Sequence, residues 1–317
     1  MKVNKPWLIT GANGYLASNL LSLNLEILDN AILIDLSLPK ARANQQAYSL
    51  DFADLTVNHD SISGTEIAGI IHLAALKSVG DSFLNPDLYN LENYEKSVKL
   101  FLFSREKGIK KFIFASSAAV YSQPLGDERP VDEIFETRPL SPYGRNKIEF
   151  EEFLKSNSSI DTEIYVLRFF NLAGGISWLG RSGAINQLLT SVYMKSTFFV
   201  NGGLESSNSS LNTVRDYVDA RDAALAVASC LKNTKPHPYE TYNVCTGTGV
   251  TLREVIDIVW RATGIEVSLQ KAQNFNQEVS WMVGDRNKIE ESLGWKPNFG
   301  MSSIVSDAWN RSNPDAL

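Results

Sequence analysis

The chain has 317 residues, 44% of them hydrophobic, with a net charge of -6 and a pI near 5.3. That length and apolar content allow a sizeable buried core, in two domains or in one domain with a smaller lobe. The acidic balance, with no basic stripe, argues against nucleic acid as the main partner, and no stretch of about 18 apolar residues offers a membrane span.

The first apolar run, Trp7–Ile9, is too short for a signal peptide, so the chain is expected to be neither secreted nor anchored. It opens the stretch "WLITGANGYLASNLL", and a helical pattern follows over Leu16–Leu28. Gly11, Gly14 and Ala17 fall where strand gives way to helix. The first glycine permits a tight turn, the second lets backbone approach a pyrophosphate, and the small third residue lets helix pack on strand. The helix N-terminus then offers unpaired N–H groups and the positive end of its dipole to the phosphates. A strand-to-helix turn also recruits glycine for structural reasons alone, so the next strand matters. "AILIDL" ends in Asp35, 24 positions after Gly11, where a carboxylate can accept hydrogen bonds from an adenosine ribose. Together the two features predict dinucleotide binding. A carboxylate at Asp35 would repel a 2'-phosphate, which favours NAD; Lys40 and Arg42 keep NADP as the alternative.

The apolar run "IAGIIHLAA" leads to a helix predicted over Pro86–Lys107, apolar nearly all round in its later half at Val98, Leu100, Phe101, Leu102 and Phe103. Such a helix is buried on more than one side, either as a core helix or as one that also meets a partner subunit. "KKFIFASS" precedes a second helical pattern over Tyr143–Ser156, and "EIYVLRFFN" follows. This alternation predicts an α/β fold, a parallel sheet covered by helices on both faces. Beyond Asn171 the alternation loosens into a smaller lobe, with a polar surface loop at Glu205–Asn212 and a peripheral tail from Gly294. Cys230 and Cys245 lie in apolar surroundings without metal-ligand spacing, so buried reduced thiols, a cytosolic setting and no metal are expected.

In "SPYGRNKIEFEEFL", Tyr143 and Lys147 are four apart at the start of a helix and share one face. A free tyrosine, with a pKa of about 10, is too protonated at neutral pH to act as a base. At about 5 Å and an effective dielectric of about 20, one positive charge is worth roughly 3 kcal/mol, or about two pKa units. Lys147 and the positive ring of an oxidised nicotinamide are therefore expected to bring Tyr143 toward neutrality, as base and then acid. Ser117, at the end of a predicted strand, stands at the sheet edge where ligands bind.

The segments "TGANGYLA", "IHLAALKSVGDS", "FASSAAVY", "SPYGRNK", "LRFFNLAG", "TVRDYVDARDAA", "YNVCTGTG" and "LGWKP", in this order, resemble the extended short-chain dehydrogenase/reductase superfamily, and within it the nucleotide-sugar epimerases of the UDP-galactose 4-epimerase type. The resemblance implies a Rossmann-type doubly wound parallel sheet with a smaller C-terminal substrate-binding lobe. It gives the pyrophosphate to Gly11, Gly14 and Ala17, the ribose to Asp35 and the adenine edge to Asp51. Asn13, Tyr15, Leu16, Phe52, Leu73, Ala74, Ala75 and Phe170 complete the implied cofactor contacts. Lys77 and Lys147 would reach the nicotinamide side, with Lys77 also near the substrate. Ser117 and Tyr143 would meet the sugar's 4-hydroxyl, and Asn171 and Arg215 the sugar nucleotide's phosphates. His72, in "HLAA", reads as structural. Met282 takes the place near the sugar's C2 substituent, where an unbranched side chain would tolerate an N-acetyl group.

Three departures stand out. Phe275 and Glu278 occupy the region of an arginine and an aspartate that the family uses as a phosphate clamp. Asn171 is followed by Leu172 in place of proline, and Asn93 by "YEKS" in place of a Val-x-Gly-Thr pattern. The expected organisation is an NAD-binding Rossmann domain of residues 1–170 and 214–248 with a substrate lobe of 171–213 and 249–317. The expected function is that of a cytoplasmic, NAD-dependent nucleotide-sugar 4-epimerase acting through a 4-keto intermediate. A homodimer would pair the helices over Pro86–Lys107 and Tyr143–Ser156 with their symmetry mates. The alternatives are another oxidoreductase or epimerase of the superfamily, and a non-catalytic NAD-binding protein. A dehydratase is disfavoured, because Ser117 is followed by Ala118 and Ala119 and not by an Asp-Glu pair.

Overall fold

Apolar strands that cannot be left half in water set the architecture. The computed structural model describes residues 5–56, 62, 65–122, 129–176, 178–181, 183–201, 209–235, 237–272 and 280–312. The chain divides into two units: Met1–Ser122, Glu136–Arg168 and Val227–Tyr242 form the first, and Gln123–Phe135, Phe169–Ala226 and Asn243–Leu317 the second.

In the first unit, β1 (Trp7–Thr10), β2 (Ile32–Asp35), β3 (Gln46–Ser49), β4 (Gly69–His72), β5 (Lys111–Ser117), β6 (Glu163–Phe169) and β10 (Glu240–Val244) lie in the order β10-β6-β5-β4-β1-β2-β3. The β3-β2-β1-β4-β5 neighbours run parallel. β1 and β4 are buried along their length, as parallel strands covered on both faces must be. This is the Rossmann-like order, and its direction reverses where β1 separates β2 from β4. Thr10, the last residue of β1, pairs with both Ile34 and His72, so the glycine loop emerges at that switch point.

The helices follow in chain order. α1 (Tyr15–Ser22) is shorter than its apolar pattern predicts, because Asn24 takes a left-handed φ of 51° and the chain resumes as a 3-10 turn at Glu26–Leu28. α2 (Val79–Leu84) is capped by Ser78, whose hydroxyl accepts from the Asp81 amide at 3.2 Å. The single helix predicted over Pro86–Lys107 is α3 (Pro86–Asn90), a π turn (Leu91–Glu95) and α4 (Lys96–Glu106). α5 (Pro142–Ser156) starts on the Ser141 cap with proline in its first turn, where the missing N–H costs nothing. Leu100, Phe101 and Phe103 of α4 and Phe150 and Leu154 of α5 bury into one core with Leu8, Ile70, Phe112 and Phe114. The Phe114 and Phe150 rings meet edge to face at 4.8 Å.

The second unit carries β7 (Asn171–Ala173), α6 (Ala184–Tyr193), β8 (Phe198–Val200), β9 (Val214–Asp219), the first half of α7 (Ala220–Lys232), β11 (Gly249–Thr251), α8 (Leu252–Thr263), β12 (Leu269–Lys271), β13 (Trp281–Met282), α9 (Asn287–Leu293) and α10 (Met301–Ser312). β9 is its hub, pairing with β7 and β13 in parallel and with β11 antiparallel. The tail from Gly294 is not peripheral. Ile304, Val305, Ala308 and Trp309 form a helical apolar face that buries in α10, and the Trp178 indole donates to the Ala308 carbonyl at 2.8 Å. Of the loop expected at Glu205–Asn212, residues 205–208 lie outside the described residues, and Ser210 and Leu211 are buried in a 3-10 turn. Cys230 and Cys245 are free and buried. Among the described residues no helix is long and apolar enough to cross a membrane.

Candidate active site

The glycine loop has no room for a side chain at Gly11 or Gly14. Gly11 sits at a φ of 70°, and a Cβ there would stand 2.7 Å from the Ala74 amide nitrogen; a Cβ on Gly14 would stand 2.8 Å from the Gly11 carbonyl oxygen. Both contacts are closer than real Cβ atoms make, so the turn demands bare backbone and packs directly on the Leu73–Ala74 segment. The loop is tied to β2 through Asp35, whose carboxylate accepts from the Asn13 amide at 3.0 Å, while the Asn13 side chain donates to the Ser37 carbonyl at 2.8 Å. The chain thus brings a bare-backbone cradle, a helix N-terminus and a carboxylate at the next strand end into one place, a donor set that fits a dinucleotide. Arg42, which with Lys40 left NADP open, donates instead to the Leu21 carbonyl near the far end of α1. Lys77 lies over the Tyr15 ring, 5.9 Å from its centroid, so two further expected contacts also meet. Asp51 precedes a 3-10 turn at Phe52–Thr56, and the Phe52 ring packs edge-on against His72 at 5.0 Å.

His72 is structural, as the sequence reading has it. Its Nδ1 meets the Thr10 hydroxyl at 2.7 Å and its Nε2 the Ser97 hydroxyl at 2.9 Å. Burial, aided by the Lys147 charge, takes its pKa down to about 3, so it stays neutral in the core.

Ser117 ends β5, and its hydroxyl accepts from the Ala119 amide at 3.1 Å, turning the chain into the 3-10 turn Ala118–Val120. α5 begins against that turn because residue 144 is glycine: a Cβ there would overlap the Ala119 carbonyl oxygen. This approach sets Tyr143 beside Ser117, near enough for the serine to pull against the rise in its pKa. One turn along, the Lys147 ammonium donates to the Ala115 carbonyl at 2.9 Å and lies 5.8 Å from the Tyr143 ring centroid. Both side chains are buried.

Their electrostatics differ from the sequence expectation. Burial pushes Tyr143 up to about 12, with the Ser117 hydrogen bond pulling the other way, and takes Lys147 down to about 7, with Glu151 opposing. Burial thus works against the Lys147 charge, and it is desolvation that sets the direction of the Tyr143 shift. The expectation includes a second positive charge, that of an oxidised nicotinamide, and the protein alone does not supply it.

Glu151, one turn beyond Lys147, is buried in an ion pair with Arg168 at 2.6 Å; Arg168 also donates to the Tyr121 hydroxyl at 3.0 Å, and the Ser116 hydroxyl donates to Glu151. Sequence alone singles out neither residue. A Glu at position i+4 from the lysine reads as one more solvated helix charge until tertiary contacts are known. Asn93 likewise gains a role only in the fold. Its amide clamps the Leu76 backbone, accepting from the N–H and donating to the carbonyl, both at 2.8 Å, and so fixes the segment that ends in Lys77.

In the second unit, Asn171, Arg215 and Met282 fall on adjoining strands: Asn171 pairs with Tyr217 across β7–β9, and Met282 with Arg215 across β13–β9. The Asn171 amide donates to the Asp216 carbonyl at 2.9 Å, and Met282 is buried. Phe170 is buried in the same unit, its amide donating to the Val244 carbonyl at 3.1 Å. Phe275 and Glu278, the places of the altered phosphate clamp, lie outside the described residues.

Residues 7–245 match the sequence model described as the NAD dependent epimerase/dehydratase family. A UDP-glucose 4-epimerase of Cyamopsis tetragonoloba is 30% identical over 96% of this chain and 93% of its own length. One from Bacillus subtilis is 29% identical over 95% of each. Among solved structures, UDP-glucose 4-epimerase from Bifidobacterium longum, in complex with NAD+ and UDP, shares the fold with a TM-score of 0.83 at 24% identity, over 99% of this chain and 100% of that one. The Thermus thermophilus enzyme, in complex with NAD, gives 0.83 at 25% identity, over 96% and 98%.

Proposed function

The chain belongs to the NAD-dependent epimerase/dehydratase family, and from that premise we propose that it is a nucleotide-sugar 4-epimerase acting on a UDP-hexose. The observation that carries this reading is buried Tyr143 beside Ser117, with Lys147 buried one turn along the same helix, 5.8 Å from the Tyr143 ring centroid and bonded to the Ala115 carbonyl. NAD, when bound, supplies the hydride acceptor and donor for C4 of the sugar. Tyr143 takes the proton of the 4-hydroxyl and returns it after the keto group has formed, Ser117 orients that hydroxyl, and Lys147 lends positive charge to the tyrosinate. Gly11, Gly14, Asn13 and Asp35 would hold the dinucleotide, with Asp51 at the adenine edge. Asn171, Arg215 and Met282 of the second unit are the proposed contacts of the sugar nucleotide.

A silent NAD-binding protein has no need to bury a lysine at the expense of its charge, which supports catalysis over binding alone. Ala118 and Ala119 after Ser117 speak against dehydration. The engagement of Arg42 with Leu21 favours NAD over NADP. Leu88, Leu91 and Leu102 stay 48%, 39% and 48% exposed along the α3-to-α4 segment, an apolar line that supports a homodimer built on this segment and α5. Two buried, unpaired thiols suit a cytoplasmic protein. Incubating the purified protein with UDP-, dTDP-, CDP- and GDP-hexoses, plain and N-acetylated, and resolving the products tests the reading. Interconversion of C4 epimers of a UDP-hexose is expected, with the N-acetylated sugar accepted beside Met282. Conversion of none, or steady release of reduced cofactor, contradicts it.

A further inference from the structure

Lys96 is the first residue of α4, directly after the π turn, and stands where the resembled Val-x-Gly-Thr pattern has glycine. Its ammonium lies 2.5 Å from Asp51 Oδ2 and 2.6 Å from Glu92 Oε1, with only 15% of the side chain exposed. The other Asp51 oxygen accepts from the Ala53 amide at 3.0 Å. Asp51 is therefore held from two sides, by a backbone N–H within its own turn and by a cation 45 residues away in sequence. Burial alone would lower the Lys96 pKa, but two carboxylates bonded to the ammonium leave it above its ordinary value, so the clamp stays charged.

A carboxylate offers about four lone-pair directions, and two are engaged here, so Asp51 keeps acceptor capacity in a fixed orientation. Without Lys96 the Ala53 amide alone would hold the carboxylate, and Oδ2 would turn to water. We propose that Lys96 is a positioning residue for the dinucleotide: clamping Asp51 between its ammonium and the Ala53 amide fixes the carboxylate as acceptor for the exocyclic amino group of adenine. A base with a carbonyl in place of that amino group would set two acceptors against each other and be rejected. This inference rests on the reading that Asp51 meets the adenine edge, and the test separates the two.

The measurement is calorimetric binding of NAD and of nicotinamide hypoxanthine dinucleotide to cofactor-stripped protein. The wild type is expected to prefer NAD by about tenfold, the scale of one hydrogen bond to a charged group. Asp51→Ala and Lys96→Met should each bring that preference close to unity, while Lys96→Arg, which keeps the cation, should retain most of it. If Asp51→Ala leaves the preference intact, the adenine reading falls and the role of Lys96 with it. If Asp51→Ala abolishes the preference and Lys96→Met keeps it, Asp51 needs no clamp and Lys96 is only an ion pair. Should Lys96→Met fail to fold by circular dichroism, Lys96→Leu, which also lacks any donor, carries the same test, and a wild-type preference in it overturns the proposal.

Discussion

Tyr143 must give up its proton in an environment that, in the protein alone, opposes ionisation: burial pushes it up to about 12 and takes its neighbour Lys147 down to about 7. The hydroxyl is thus a weak base until more positive charge arrives, which confines proton transfer to the loaded site. Tyr143→Phe is expected to leave NAD binding nearly unchanged and to lower turnover by about 10² or more, read by calorimetry and by product formation. Unchanged turnover would remove Tyr143 from the role. Ser117, Tyr143 and Lys147 can be found from sequence because helix spacing and a strand end already define their neighbourhood. Gly144, Glu151 and Arg168 cannot. Each acts through a contact made only in the folded chain: a glycine against the Ala119 carbonyl, and a buried pair joining α5 to β6.

At the scale of elements, the Pro86–Lys107 stretch has an unbroken helical pattern, and nothing in its periodicity calls for a π turn at Leu91–Glu95. The wider turn accompanies Asn93, whose side chain is bonded to Leu76, 17 residues earlier, and it delivers Lys96 to Asp51. π turns of this kind recur at functional sites. The same segment leaves Leu91 exposed on its outer side. If it pairs with its symmetry mate, Leu91→Glu should convert a dimer to a monomer in light scattering at micromolar concentration, because a charge buried at an isologous interface is met by its own copy. A wild-type monomer at that concentration would refute the pairing. The strands are easier to read than this segment, since β1, β2, β4 and β5 are short apolar runs that only burial on both faces satisfies.

For the whole molecule, two buried bases make stability depend on pH with one sign. The folded pKa of His72 lies near 3 against 6.5, and that of Lys147 near 7 against 10.5. Each is depressed, so the unfolded chain binds more protons within each window and stability rises with pH across both. Lys147→Met removes the second contribution. The cofactor-free variant should melt above the wild type at pH 6, with the gap closing as pH rises from 7 toward 10; a gap that does not change with pH would show that Lys147 is not held in its neutral form. The α10 face, with Ile304, Val305, Ala308 and Trp309 at helical spacing, is legible in principle, but its weak flanking signals and Pro297 before it read as a tail. A 4-epimerase removes and returns the same hydride at C4, and this is read with the UDP-hexose converted by the protein, deuterated at C4, by following product isotope content in mass spectrometry and NMR. Deuterium retained at C4 of the epimer, without dilution by added NADH, is the expected result; deuterium lost to solvent or to free NADH would contradict it.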